Sequence, residues 1–194
     1  KFVSFASSLD YASLSGAAIY AAKIRIIDAF GCALGAYDAP TANVCRKLAA
    51  PVSEGPRARI LGTLESVSIE HATLTNSAMV RYLDMSDAYL MTSTAHPSDN
   101  FPGILAIGDA YGASGIDVLL ATLISYEAHC RVCDVAPFGP NGWDQPIAGA
   151  PAMALAASRL LGLDLVMMRH AVAIAVVSSV ALDQTRRGAL SMWK

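Results

Sequence analysis

The hydrophobic positions of this chain recur with a helical period almost throughout, and the strict alternation typical of strands is nearly absent. A short first helix is predicted over Phe2–Leu9, and Ser15 can cap a longer second helix. Two glycines in the second helix, Gly31 and Gly35, indicate that another helix approaches closely there. Large apolar residues share one face of this helix, as expected of its core side: Tyr20, Ile24, Ile27 and Leu34.

The middle of the chain contains two further helices separated by an irregular stretch. One helix is predicted over Pro40–Leu48, starting at a proline and a threonine. Glycine and proline mark 51–66 as irregular, with room for a short extended piece at 59–61. Ser68 then caps a helix that covers Ile69 to about Asp84–Asp87.

The second half is predicted to be helical as well, beginning with a helix over 102–111. Ser114 and Asp117 resemble a capping box at the start of a long helix. Two more helices are predicted over 148–161 and 164–182. The core stripe of the long helix is formed by Leu119, Leu120, Leu123 and Ile124. These patterns predict a single all-α domain of about eight helices over 1–194.

The composition is apolar for a soluble domain, with 54% hydrophobic and only 15% charged residues and a mean hydropathy of +0.43. Such a chain exposes apolar surface that a partner subunit or missing sequence would cover, and we expect a fragment of a longer protein. The formal net charge is −2 with no basic stripe, so nucleic acid is not an expected partner. The uncharged run His170–Leu182 is too short to span a membrane.

Cysteine usage indicates a reducing compartment, and we expect a cytoplasmic protein. Cys32 and Cys45 lie in apolar helical settings, and Cys130 and Cys133 are too close on one helix for a comfortable disulfide. The run His129–Cys133 invites a metal or redox interpretation, but the second Cys/His pair of a zinc site is absent. Small hydrophobic residues are the better interpretation, so no metal site is predicted.

The stretch best suited to chemistry is 81–100, RYLDMSDAYLMTSTAHPSDN. Asp84 and Asp87 end a helical run, and His96 precedes Pro97, which disfavours a helical conformation in the residue before it. A carboxylate, an imidazole and uncommitted backbone N–H groups would then lie close together. Such a cluster suits acid/base chemistry on an anionic substrate, although a solvated aspartate and an ordinary His-Pro turn are the alternative.

Two other places carry candidate polar residues. Asp144 lies beside Trp143 in a loop rich in glycine and proline, where it serves either function or a plain turn. Near the end of the chain, Arg186 and Lys194 follow an apolar helix. These cations could clamp carboxylates or simply complement the carboxyl end of a helix.

Four motifs follow one another along the chain: VRYLDMSD, HPSDNFPGILA, GWDQP and QTRRGALSMWK. Together they resemble the MmgE/PrpD family, which includes 2-methylcitrate dehydratases, cis-aconitate decarboxylases and an iminodisuccinate epimerase. The resemblance covers essentially the whole chain and leans towards the methylcitrate dehydratases. It implies a large helical domain, an α+β lid that this chain does not include, an active site between them, no metal or other cofactor, and a homodimer.

The resemblance also implies roles for single residues. Asp84 and His96 match the acid and the histidine of the family's motifs, and Lys194 matches the motif lysine. Asp144 falls where the decarboxylase branch carries a histidine. Ala88 stands where that branch carries a threonine, which argues against decarboxylation.

The resulting hypothesis is a cofactor-independent hydro-lyase that dehydrates a 2-methylcitrate-like tricarboxylic acid, and the expected partner is a small di- or tricarboxylate substrate. Asp84 and His96 would form the acid/base pair, and Lys194 would supply positive charge. The predicted substrate-binding residues are Asp144, Arg186, Ser98 and Asn100. A decarboxylase or epimerase on the same scaffold and a non-catalytic helical assembly module remain alternatives. Without a lid, this chain alone is expected to catalyse poorly.

Overall fold

The computed structural model describes residues 1–186, and within them eight α-helices and two small antiparallel hairpins are present. With 67% helix and 7% strand, the predicted all-α class is confirmed. The helices are α1 (Phe2–Ser8), α2 (Gly16–Gly35), α3 (Pro40–Leu48), α4 (Ile69–Tyr82), α5 (Phe101–Ala110), α6 (Gly115–Val135), α7 (Gly149–Leu160) and α8 (Leu165–Ser178). The strands are β1 (Arg57–Arg59), β2 (Ser66–Ser68), β3 (Tyr89–Leu90) and β4 (Thr94–Ala95).

Helix starts follow the capping signals of the sequence. The Ser15 hydroxyl accepts the N–H of Ala18 at 3.1 Å. Ser114 and Asp117 form the predicted capping box, with each side chain accepting the other's backbone N–H at 3.2 and 3.0 Å. Beyond the end of α7, Gly162 has a φ of +63°, the left-handed conformation that glycine adopts without strain.

The large apolar residues of α2 do not face the core, contrary to the prediction. Tyr20 is 68% exposed and Ile27 is 64% exposed. The buried residues of α2 are small, and Ala29 and Ala33 join one buried cluster with Met79 of α4. Two larger residues of α2, Ile26 and Phe30, are partly buried against this cluster. Small side chains let the two helices pack closely at these positions, whereas the four residues predicted for the core lie on the outer face of α2.

The close approach predicted at the glycines of α2 occurs at only one of them. A β-carbon at Gly35 would lie 3.1 Å from Cδ1 of Leu83, so the close approach predicted there is confirmed. At Gly31 no atom would lie within 4 Å, so the prediction is wrong there.

Helix α8 also leaves a large apolar surface exposed and ends earlier than predicted, at Ser178. Met168 is its one fully buried residue. Several apolar side chains of the helix are exposed, including Val166, Met167, Ile174 and Val177. Among residues 1–186, no helix combines the length and the apolarity needed to cross a membrane.

The first hairpin pairs β1 with β2, and its central pair, Ala58 and Val67, is buried. The extended piece predicted at 59–61 therefore overlaps the strand only at Arg59. That residue makes an ion pair with Asp109 of α5 at 2.6 Å.

The second hairpin was not predicted, and it sets the position of His96. Tyr89 of β3 pairs with Ala95 of β4, directly before the histidine. The Tyr89 hydroxyl donates to the Asp134 carboxylate at 2.7 Å, and the Thr92 hydroxyl donates to the Asp134 carbonyl at 2.7 Å. The second hairpin is therefore anchored on the carboxyl end of α6.

Candidate active site

His96 lies at the junction between the second hairpin and a short 3-10 helix. Its backbone has φ −120° and ψ 87°, and Pro97 opens the 3-10 helix Pro97–Asn100, which runs on into α5. The predicted non-helical backbone at His96 is confirmed. The proline is the local cause, because its ring disfavours the helical conformation in the preceding residue.

The imidazole of His96 is held in one orientation by the loop before it. Its Nδ1 lies 2.6 Å from the carbonyl oxygen of Asp87. Because a carbonyl oxygen only accepts hydrogen bonds, Nδ1 carries the proton in this contact. In the neutral ring Nε2 then keeps its lone pair, and it is the nitrogen that can accept a proton.

Two of the backbone N–H groups after His96 already donate hydrogen bonds within the protein. The N–H of Ser98 donates to the Asp87 carboxylate at 3.1 Å, and the N–H of Asp99 donates to the His96 carbonyl at 3.0 Å. The expectation of uncommitted N–H groups is therefore wrong at these two positions. Their role is to bind the turn to the Asp87 loop, which stiffens the support of the histidine.

Asp84 lies just after α4, which ends at Tyr82, and it carries an uncommon backbone conformation. Its φ is 55°, and no other non-glycine residue among residues 1–186 has a positive φ. Aspartate tolerates this region better than most residues, and such strain clusters at functional sites. The Asp84 carboxylate pairs with Arg81 at 2.8 Å, and Arg81 also lies 3.6 Å from the carboxylate of Asp99. Arg81 thus links Asp84 to the turn that carries His96.

A small cavity of about 100 Å³ opens beside this turn. Three segments that are distant in the chain contribute to it: the turn after β4, helix α6, and the loop that leads into α7. Its lining includes His96, Asp99, Asn100, His129, Gln145 and Gly149. The HPSDN and GWDQP motifs therefore meet at one site.

His129 lines the cavity, although the sequence analysis did not select it as a catalytic or substrate-binding residue. It is only 2% exposed, and burial lowers the pKa of its imidazole to about 4; the charge of His96 acts in the same direction, and that of Asp87 opposes both. The amide nitrogen of Asn100 lies 3.5 Å from its Nδ1 and 2.9 Å from the hydroxyl of Ser125. One signal was present in the sequence: Ser125 and His129 are four residues apart on the buried face of α6.

The cysteines beside His129 behave as small hydrophobic residues. Cys130 and Cys133 are free thiols, and burial raises their pKa values to about 12 and about 11, so both stay protonated at neutral pH. In the part of the chain from residue 1 to 186, no three His, Cys, Asp or Glu side chains are grouped to hold a metal ion.

Asp144 does not itself line the cavity, but the next residue, Gln145, does. Its carboxylate accepts the N–H of Gln145 at 2.8 Å, and so it caps the 3-10 helix Gln145–Ala148. Its own N–H donates to the Ala181 carbonyl at 2.9 Å. The segment after α8 therefore runs along the GWDQP loop. The backbone of Arg186 belongs to the 3-10 helix Asp183–Arg186 in this segment, but its side chain and all of Lys194 lie outside the described residues.

A pH effect on stability follows from the buried imidazole of His129. The unfolded chain binds a proton near pH 6.5, whereas the folded site binds it only near pH 4, so stability is lost as the pH falls between these values. We expect this residue to reduce stability by about 2 kcal/mol at pH 5.0 relative to pH 7.5. Urea unfolding of the full-length protein and of His129→Gln at both pH values measures the difference. An identical pH dependence in the two proteins would contradict it.

The chain is similar to known enzymes over most of its length. The family model for the MmgE/PrpD N-terminal domain matches residues 1–194. A 2-methylcitrate dehydratase of Cupriavidus necator is 31% identical over 91% of this chain and 39% of its own length. A 2-methylcitrate dehydratase of Escherichia coli K12 is 28% identical over 92% of the chain and 39% of its own length. A cis-aconitate decarboxylase of Aspergillus terreus is 26% identical over 96% of the chain and 40% of its own length.

The chain spans about two fifths of the length of these relatives. The family match over residues 1–194 includes the two segments that meet at the cavity. Since the family match covers the chain from its first residue to its last, this protein belongs to the MmgE/PrpD family.

Proposed function

We propose that the full-length protein is a hydro-lyase that dehydrates a 2-methylcitrate-like tricarboxylic acid without a cofactor. The observation that carries this proposal is the cavity shared by the HPSDN and GWDQP segments, with the His96 ring fixed beside it by a 2.6 Å contact to the Asp87 carbonyl. The 31% identity to a 2-methylcitrate dehydratase supports the choice of reaction.

The proposed reaction needs one base and one acid. Nε2 of His96 is suited to remove the proton from a carbon next to a carboxylate, because Nδ1 is already protonated. The electrons of the broken C–H bond form the C=C bond, and the C–O bond of the neighbouring carbon breaks. The hydroxide leaves as water after it takes a proton. The carboxylate of Asp84 pairs with Arg81 and brings no proton of its own, so this proton is the one that His96 removed, and Asp84 is the proposed partner of His96 in the transfer.

A tricarboxylate also needs positive charge around it. Arg81, the cation beside the turn, already contacts the carboxylates of Asp84 and Asp99. We therefore keep Lys194 and Arg186 as the proposed cations. The hydrogen bond from Asp144 to Ala181 supports this, because it brings the segment before Arg186 next to the loop whose Gln145 lines the cavity.

The remaining polar residues have proposed binding roles. Asn100 presents its amide at the cavity, and Asp144 would orient the substrate hydroxyl from the neighbouring loop. The Ser98 hydroxyl is buried and has no hydrogen-bond partner among the described residues, so it remains a proposed contact to a carboxylate.

Decarboxylation is the second candidate, because a cis-aconitate decarboxylase is 26% identical to the chain. Ala88 disfavours it, since its methyl group cannot replace the hydroxyl that the decarboxylase branch carries there. We expect the full-length protein to release water from 2-methylcitrate, and not CO₂ from cis-aconitate or an epimer from iminodisuccinate. Dehydration is followed by the ultraviolet absorbance of the new double bond, decarboxylation by CO₂ release and epimerisation by optical rotation. All three are measured on one panel of acids: 2-methylcitrate, citrate, cis-aconitate and iminodisuccinate. No turnover of any acid would favour an assembly module.

The protein is further proposed to be a cytoplasmic homodimer. The exposed apolar faces of α2 and α8 supply surface that a second subunit could cover, as at Ile27 and Val177. The four free cysteines are compatible with a reducing compartment. Light scattering of the purified protein tests the oligomeric state.

A further inference from the structure

His129 is a buried histidine at the cavity, and its Nε2 has no hydrogen-bond partner among residues 1–186. The side chain is 2% exposed and lines the cavity together with His96. Its Nε2 is buried without a hydrogen bond to any described residue. Buried polar atoms of folded proteins almost always have a partner, so this nitrogen points to a ligand.

The neighbours of His129 decide which of its nitrogens carries the proton. The Asn100 amide nitrogen is a donor, and it faces Nδ1 of His129 at 3.5 Å. A donor facing Nδ1 favours the tautomer in which Nδ1 accepts and Nε2 is protonated. Burial lowers the pKa of the ring to about 4, so the imidazole is neutral at physiological pH. Nε2 is then an N–H donor for which the described part of the chain offers no acceptor.

The space beside His129 depends on Gly149, the first residue of α7. A β-carbon at this position would lie 3.2 Å from Oδ1 of Asn100 and 3.6 Å from Cε1 of His129. The missing side chain therefore leaves room next to both polar residues. A methyl group there would narrow the cavity without removing any hydrogen-bonding group.

We propose that His129 binds the substrate, with its Nε2–H donating a hydrogen bond to a carboxylate oxygen seated in the cavity. This inference rests on the proposed lyase function for the identity of the carboxylate. His96 and His129 then have different roles. His96 keeps a lone pair on Nε2 to accept a proton, and His129 offers an N–H to the substrate. A neutral donor can hold the carboxylate without competing as a base for the substrate proton.

The test compares variants of the full-length protein in turnover of 2-methylcitrate and in calorimetric binding of tricarballylate, a tricarboxylate without a hydroxyl to eliminate. A hydrogen bond from a buried donor to a charged oxygen corresponds to about 10- to 100-fold in affinity. We expect His129→Leu to raise KM and the tricarballylate Kd by about that factor while kcat changes less. His129→Gln, which restores an N–H donor, is expected to recover most of the affinity.

Two further variants separate binding from folding. Gly149→Ala keeps every hydrogen-bonding group, and we expect it to weaken tricarballylate binding by narrowing the cavity. His170→Leu changes an exposed histidine on α8 and is expected to leave Kd and KM unchanged. Thermal unfolding of each variant shows whether a loss of binding follows from a loss of structure.

The outcomes distinguish this inference from the proposed function. If the wild-type protein dehydrates 2-methylcitrate and folded His129→Leu keeps the wild-type KM and Kd, the role of His129 is wrong and the lyase stands. If the wild-type protein turns over no acid but binds tricarballylate, and His129→Leu weakens that binding, the lyase is wrong and the carboxylate site stands. If the wild-type protein neither reacts with nor binds these acids, both are overturned.

Discussion

His96→Ala in the full-length protein is expected to lower kcat for dehydration of 2-methylcitrate by about 10³-fold. The substitution removes Nε2, the nitrogen left as a base once Nδ1 is bound to the Asp87 carbonyl. The fold should persist, because the side chain is only half-buried and the hydrogen bond it loses contributes about 1 kcal/mol. Substrate affinity should change much less than kcat, since the effect falls on proton transfer.

Steady-state kinetics with circular dichroism of both proteins checks this expectation. His170→Ala is the matched control, because it removes an imidazole from the exposed surface of α8. If folded His96→Ala retains kcat within a few-fold of the wild type, His96 is not the base and the proposed mechanism fails.

Asp84→Asn is expected to lower kcat by about 10²-fold or more while leaving the fold intact. Asparagine is nearly the same size as aspartate and tolerates the left-handed conformation, so the φ of 55° at this residue costs little more in the variant. What the variant lacks is the negative charge and the capacity to exchange a proton. Asp84 is linked to the His96 turn through Arg81, so loss of its charge also changes the field at the cavity.

The structure allows a simpler role for Asp84, and the same experiment separates the two. If Asp84 serves only its ion pair with Arg81, the pair is exposed enough that Asp84→Asn would alter stability slightly and leave kcat unchanged. Glu54→Gln removes an exposed carboxylate elsewhere and serves as the control. A kcat for Asp84→Asn equal to that of Glu54→Gln would rule out Asp84 as a catalytic acid or base.

The predicted helices were largely confirmed because their signals are local. A capping side chain and the N–H groups that it binds lie within three residues of each other, as in the box of Ser114 and Asp117. The stripe on α6 was also mostly confirmed, with Leu119, Leu120 and Ile124 buried. The error on α2 has a different origin: periodicity identified one apolar face, but the helix packs with another, which includes Ala29, Ala33 and the partly buried Phe30.

The residues of the candidate site also fall into those that local sequence signals identified and those that depend on tertiary contacts. The sequence identified His96 because the proline after it constrains its backbone, and the motif order led to the family. It did not distinguish His129 from a packing residue, because the role of this histidine depends on Asn100 and Gly149, which come from other elements. Nor did it show that the N–H of Ser98 is already bound to Asp87.

Chain order was therefore sufficient for the all-α class, most helix ends and the family, since each depends on residues close together in the sequence or on motifs in a fixed order. Only the tertiary structure decided which polar atoms share a cavity and which nitrogen of each imidazole carries the proton. The physical reason is that burial and hydrogen-bond partners set the tautomer and the pKa of His129, and its partner on the cavity side, Asn100, is 29 residues away in the chain.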